Sequence, residues 1–214
     1  MSDVAVTGMV AEAKIARSLG LRTAVIGGSA QEREAMVTQL IADGATRLVS
    51  FGIAGGLAPA LAPGAVLLPN AVHTHKGEAI EVDKSWHGFI AAKLGMVASG
   101  IILGAAAIVA SAADKHALFH ASGAVAADLE SGPIARAASA AKIPFIVLRA
   151  IADPGERNLP AAAMLGLDDK GRVALRPVLR SILRQPNQIR GLIQVSRDTN
   201  RAFDTLRNAG LMLV

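Results

Sequence analysis

Glu12, Glu130 and Asp153 are the residues of this 214-residue chain best placed to do chemistry, because each stands where the sequence turns from strand-like to helix-like or turn-like. That is the rim at which open α/β sheets hold their ligands. Each has a plain alternative: an acid in the first turn of a helix favours the dipole, and an Asp before Pro commonly starts a turn. In the run from Pro144 to Asp153, side chains two apart share a strand face, so Arg149 and Asp153 are expected to point the same way. A buried apolar strand that becomes charged at its end marks either a functional spot or an ion pair sealing the sheet edge. Asp128 and Glu130 flank Leu129 and face together as like charges, which bears on their protonation. Phe51-Gly52-Ile53-Ala54-Gly55-Gly56-Leu57 follows a strand, and its backbone amides suit an anion or a sugar. It lacks the glycine spacing of a dinucleotide fingerprint and the Lys-Ser or Lys-Thr of a P-loop.

Other chemistries find less support. His73 and His75 share a strand face and His116 and His120 have helical spacing, so each pair offers two metal ligands but no third. They are expected to be ordinary polar histidines, and no metal is expected. No Gly-x-Ser-x-Gly elbow marks a serine nucleophile. The chain has no cysteine, which removes thiol nucleophiles, thiolate metal sites and disulfides.

Alternating strands and helices must position these acids. Asp3 to Met9 is expected as a strand, Ala11 to Leu19 as a helix and Leu21 to Ile26 as a strand. Ser29 should cap a helix from Gln31 to Ala42 that ends at Asp43-Gly44, and Thr46 to Phe51 is a buried strand running into the glycine loop. Val66 to Leu68 and Ala71 to His75 are strands of an antiparallel or barrel-like element, and Ser85 to Lys93 is a short helix. Gly123 to Leu129 is a strand, Ser131 to Ala141 a helix, and Pro144 to Ile151 a strand closed by the turn Asp153-Pro154-Gly155. Pro160 to Gly171 is loop-like, and Pro186 separates terminal helices at Arg176 to Arg184 and Gln188 to Asn208. The pattern predicts a central mixed or mainly parallel sheet with helices outside, in a single domain over residues 1–214.

Hydrophobic residues make up 52% of the chain and charged residues 18%, which excludes disorder and requires a large apolar surface to be covered by core, partner subunit or ligand. The uncharged stretch between Lys93 and Asp114 has the length of a membrane span, but its Ala, Gly and Ser content favours a buried parallel strand. The net charge of +5 is concentrated late, at Arg172, Arg176, Arg180, Arg184, Arg190, Arg197, Arg201 and Arg207. With 3% aromatic residues and no tyrosine, base-stacking platforms are scarce, so no nucleic-acid partner is expected. A solvated arginine face or attraction to anionic phospholipid accounts for the charge. The opening Met1-Ser2-Asp3-Val4 lacks a basic and then apolar leader pattern, so the chain is expected in the cytoplasm.

Taken together, Gly8-Met9-Val10-Ala11-Glu12, the Phe51 to Leu57 segment, Ala127-Asp128-Leu129-Glu130-Ser131 and Arg149-Ala150-Ile151-Ala152-Asp153 resemble the methylthioadenosine/S-adenosylhomocysteine nucleosidases and related purine nucleoside phosphorylases. The likeness spans Val4 to Asp153, and the motifs are specific as a set. Asp153-Pro154-Gly155-Glu156-Arg157-Asn158-Leu159-Pro160 and the arginine-rich tail resemble the hopanoid-associated phosphorylase branch, which acts on adenosylhopane and releases adenine.

The resemblance implies a three-layer nucleoside phosphorylase-like α/β fold, its central mixed sheet partly barrel-like and flanked by helices. It implies cleavage of the N-glycosidic bond of a 5′-substituted adenosine, by water or phosphate, in a homodimer. No cofactor is implied beyond phosphate as a co-substrate. Asp153 would supply or relay a proton to N7 of adenine, Glu130 would accept hydrogen bonds from the ribose 2′- and 3′-hydroxyls, and Glu12 would position the attacking water. Leu129, Asp128, Gly52, Ala54 and Gly55 would line the substrate site, with Arg149 near an anion. The chain departs from the nucleosidase pattern at Ile53 and Ala152, each commonly serine there. Ser111-Ala112-Ala113-Asp114-Lys115-His116 lacks the aromatic that stacks on adenine. The rival expectations are a methylthioadenosine/S-adenosylhomocysteine nucleosidase and a non-catalytic nucleoside- or lipid-binding module.

Overall fold

Runs such as Val4-Ala5-Val6 and Leu48-Val49-Ser50-Phe51 bury both faces at once, which only a sheet covered by helices on both sides can satisfy. The computed structural model, which describes residues 3–165 and 175–214, has that architecture. Its elements run β1 (Asp3–Thr7), α1 (Val10–Ser18), β2 (Arg22–Val25), α2 (Ala30–Ala42), β3 (Arg47–Gly56), β4 (Val66–Leu67), β5 (Ala71–Thr74), β6 (Ala79–Glu81) and α3 (Lys84–Leu94). There follow β7 (Ile101–Gly104), α4 (Ala112–Ser122), β8 (Ala124–Asp128), α5 (Ser131–Ala141), β9 (Phe145–Asp153), α6 (Ala161–Met164), α7 (Leu175–Arg184) and α8 (Ile189–Gly210).

The strands join in the order β2-β1-β3-β8-β7-β5-β6, and β9 pairs with β3 and β4. Pairing is mixed: β1 and β9 run parallel to β3, whereas β8 meets the far end of β3 antiparallel at Gly55 and Gly56. Thus β3 changes neighbours along its length and the sheet bends toward a barrel around the end of that strand. Phe51 faces α1 and α8, where it crowds Gly210, while Ser50 on the opposite face bonds to Ser131 of α5. The helices therefore form two outer layers.

Local signals set most of these boundaries. Ser29 caps α2 by accepting from Glu32 N, and Glu32 returns the bond to Ser29 N, a reciprocal capping box. Gly44, at φ +93°, takes the left-handed turn that releases the chain toward β3. The apolar stretch before Asp114 contains β7, an interior strand parallel to both β5 and β8. Among the described residues no helix is long and apolar enough to cross a membrane.

Three expectations need correction. The segment Gly52 to Gly56 is not a loop after a strand but the second half of β3, because its residues continue the ladder with β9 and then β8. The strand expected to end at Ile151 runs to Asp153, with a bulge that skips Ala152 opposite Ala54 and Gly55. Part of the loop expected from Pro160 is the short helix α6; residues 166–171 of that loop, and Arg172, lie outside the described residues.

Candidate active site

Glu12 is the third residue of α1 and folds back over the helix start. Its Oε2 accepts from the backbone N–H groups of Gly8 (3.1 Å) and Met9 (2.9 Å), and its Oε1 accepts from Ile53 N (2.8 Å). The side chain is 2% exposed, and burial pushes its carboxyl up to about 7 against the pull of the Arg149 guanidinium, with Glu130 reinforcing the rise. Ile53 thus holds Glu12 through its backbone, so the side chain at that position is not needed to fix the acid.

Glu130 stands at the N-terminal boundary of α5 without capping it through its side chain, and Asp128 ends β8, so the strand-to-helix switch at Leu129 turns both acids toward one cation. Arg149 Nη2 lies 2.7 Å from Asp128 Oδ2 and 3.5 Å from Glu130 Oε2, with no exposure. The same nitrogen donates to Ser50 Oγ (2.7 Å), and Asp128 also accepts from Ser131 N (3.0 Å) and Ser131 Oγ. Burial raises the Glu130 carboxyl, while Arg149 lowers it. Two glycines make room for this cluster. A Cβ on Gly8 would overlap the Glu130 carboxylate, and one on Gly52 would overlap both Arg149 Nη1 and Glu12 Oε1.

Asp153 ends β9 and pairs with Lys115, which enters from α4 and is 1% exposed. Lys115 Nζ also donates to the carbonyls of Pro154 (3.1 Å) and Arg157 (2.8 Å). Burial pushes the Asp153 carboxyl up, and the Lys115 ammonium opposes it. Its second oxygen, Oδ1, is buried with no protein partner. The loop behind it is tied to two helices: Arg157 pairs with Asp198 of α8, and Asn158 Oδ1 accepts from Ala112 N of α4 (2.7 Å).

These groups surround one cavity of about 340 Å³, a size that suits a small molecule. Glu12, Glu130 and Asp153 line it, as do Leu129, Asp128, Ala54 and Gly55. Gly52 and Arg149 lie behind that lining. Arg149 does not pair with Asp153; each charge has its own partner, and the bulge at Ala152 separates them along β9. The opposite wall is aliphatic, from Ile108, Val109, Leu159, Met164 and Val195. His116 and His120 contact each other at 3.0 Å, and among the described residues no group of three His, Cys, Asp or Glu side chains could hold a metal.

Lys115 is not among the site residues expected from the sequence, where it appears only within the Ser111–His116 segment that lacks an aromatic. The available signal was helical spacing: Lys115 shares a face with Leu118 and Phe119, both packed against the core. Asp198 escaped for the same reason, a buried acid in an arginine-rich helix.

Fold and pocket define a three-layer α/β protein of nucleoside phosphorylase-like architecture, with acids from three separate segments converging beside its central strands. The chain belongs to the phosphorylase superfamily, whose family model matches residues 5–184, and is an enzyme of the nucleoside phosphorylase or nucleosidase type. Similar solved structures include the 5′-methylthioadenosine/S-adenosylhomocysteine nucleosidase of Helicobacter pylori, with TM-score 0.73 and 16% identity over 97% of this chain and 94% of that one. Futalosine hydrolase of H. pylori strain 26695 gives 0.72 and 16% over 99% and 96%. A putative 5′-methylthioadenosine/S-adenosylhomocysteine nucleosidase from Borrelia burgdorferi B31, bound to adenine, gives 0.73 and 14% over 99% and 100%. At these identities the likeness is one of fold. No curated protein sequence matches the chain significantly.

Proposed function

We propose that this enzyme hydrolyses the N-glycosidic bond of an adenine nucleoside carrying an apolar 5′ substituent. The observation that carries the proposal is the convergence of Glu12, Glu130 and Asp153 on one otherwise apolar cavity. As the bond to C1′ breaks, the ribose gains oxocarbenium character, which a carboxylate at the hydroxyls and another near the nucleophile stabilise. Glu130 takes the 2′- and 3′-hydroxyls, Glu12 holds the attacking water and receives its proton, and Asp153 delivers a proton to N7 of the leaving base. Leu129 packs against the sugar or base, and the aliphatic wall takes the place of an aromatic platform. The adenine in the Borrelia relative supports a purine at this position.

Water is favoured over phosphate by the charge around the pocket. Arg149 is held behind Asp128 and Glu130, Lys115 is engaged by three acceptors, and a phosphate dianion beside Glu12 and Glu130 would be repelled. Phosphorolysis is the second reading, favoured by the superfamily's own description. Ile108 and Met164, both more than 40% exposed, form an apolar mouth that suits a bulky 5′ group, adenosylhopane being the substrate drawn from the sequence resemblance. A small methylthio group is the alternative.

We further place the protein in the cytoplasm as a single-domain homodimer that touches anionic membrane peripherally. Arg176, Arg180 and Arg184 recur every fourth residue along α7, while Leu179 and Leu183 of that helix are exposed. Binding to acidic but not neutral vesicles checks this last step.

The deciding experiment incubates the protein with adenosines bearing 5′-alkyl groups of increasing length, with and without phosphate, and measures free adenine. Release without phosphate, rising with the length of the group, is expected. No adenine in either condition overturns the proposal in favour of a binding module, and strict phosphate dependence reassigns the nucleophile. Asp153→Asn should lower kcat ~1,000-fold with little change in KM, since proton donation belongs to the transition state.

A further inference from the structure

A buried lysine beside the acid that must donate a proton poses a problem for the reaction just described. Lys115, with its three acceptors, forms an ion pair with Asp153, and that pairing favours the carboxylate against the burial that raises this carboxyl. In the ion-paired form Asp153 has no proton of its own to give. The remaining charged groups near it do not supply one: Arg157, on the following loop, favours the carboxylate and is tied to Asp198 of α8, while Glu12 and Glu130 lie in the separate cluster around Arg149.

We propose that Lys115 is the proton reservoir for Asp153, a positioning residue that acts on the base only through that carboxyl. In the empty pocket the two form an ion pair. A bound nucleoside displaces water from the apolar cavity, and loss of solvation penalises the charged pair more than the neutral amine and acid. The pair then shares its proton toward Asp153. As the C1′–N9 bond breaks and its electrons pass into the purine, N7 takes from the Asp153 carboxyl the one proton that came from Lys115, leaving Asp153 as the carboxylate. Water adds to C1′ and gives its proton to Glu12. The turnover leaves a neutral Lys115 amine and a protonated Glu12, and transfer of that proton through solvent after product release restores both.

The geometry suits this task better than a purely structural one. Lys115 reaches Asp153 from a different element, α4, and is 1% exposed at the cavity wall. Its two carbonyl contacts fix it without neutralising it, so only Asp153 can accept its proton. Asp153 Oδ1 is buried without a protein partner, so no other group of the protein engages that oxygen.

The inference rests on the assignment of Asp153 as the acid, and two substitutions separate the two ideas. Lys115→Met removes the reservoir, so Asp153 must draw its proton from solvent. The rate relative to wild type should fall ~100-fold at about pH 8.5 and recover to within ~10-fold at about pH 5.5. Lys115→Arg keeps a cation and donors for the loop, but a guanidinium does not surrender its proton. It should therefore be slow at every pH, by ~100-fold, while melting close to wild type. A wild-type rate in Lys115→Arg, or a deficit in Lys115→Met that ignores pH, overturns the reservoir and leaves Lys115 a structural tie. If Lys115→Met does not fold, Lys115→Arg alone decides. Failure of wild type to release adenine, or full activity in Asp153→Asn, instead overturns the underlying assignment.

Discussion

The two ends of the pocket handle buried charge differently. At one end Arg149 serves Asp128 and Glu130 and lies close to Glu12, all held by strand ends and helix starts. At the other, Lys115 serves Asp153 alone, and the loop behind that acid hangs from α4 and α8 by side-chain contacts. A cation shared among several acids is a structural keystone that cannot leave; a cation paired with one acid is free to trade a proton with it. The difference teaches that the first end shapes a fixed electrostatic field and the second supplies a movable charge.

Removing the keystone should have the largest effect. Arg149→Met leaves Asp128 and Glu130 buried without a counterion, and denaturant unfolding should show a loss of ~3–5 kcal/mol. A loss below ~1 kcal/mol would mean that those acids are protonated in the native state and that the contrast fails. Glu12 sharpens the comparison through pH. Its folded carboxyl is pushed up to about 7 from 4.5, so the native state binds this proton more tightly than the unfolded chain. The resulting stability is complete below the ordinary carboxylate range and is lost as pH rises through 7, by up to ~3 kcal/mol. Glu12→Gln should lack that decline, and parallel unfolding curves for both proteins from acid to alkaline pH would contradict it. A smaller change tests the packing beneath the keystone: Gly52→Ala drives a methyl into Arg149 and Glu12 and should cost ~1–3 kcal/mol, whereas Gly55→Ala, whose methyl would make only ordinary contacts with Ala127 O and Asp153 Oδ2, should cost less.

Much of the frame was legible because local signals and global fold agree. Ser29 with Glu32, the glycine at 44 and the two-faced apolar runs at 48–51 and 146–151 each fix an element by chemistry confined to a few residues. Glycines at 52, 55 and 56 pointed the other way, toward a loop. They are strand residues because they continue the ladder with β9 and β8, and at Gly52 the fold needs bare backbone to admit Glu12 from α1 and Arg149 from β9, a demand no neighbouring residue announces.

By itself the sequence determined the alternation of strands and helices, the acids at 12, 130 and 153, and the resemblance that groups them, because periodicity, caps and motif spacing are local properties of the chain. Only the tertiary structure decided which charges meet. Arg149 and Asp153, four residues apart on one strand, have different partners, whereas Lys115 and Asp153, 38 residues apart, form the pair. Pairing follows from where strand ends and helix faces come to rest in three dimensions, and burial then fixes the energy of each charge.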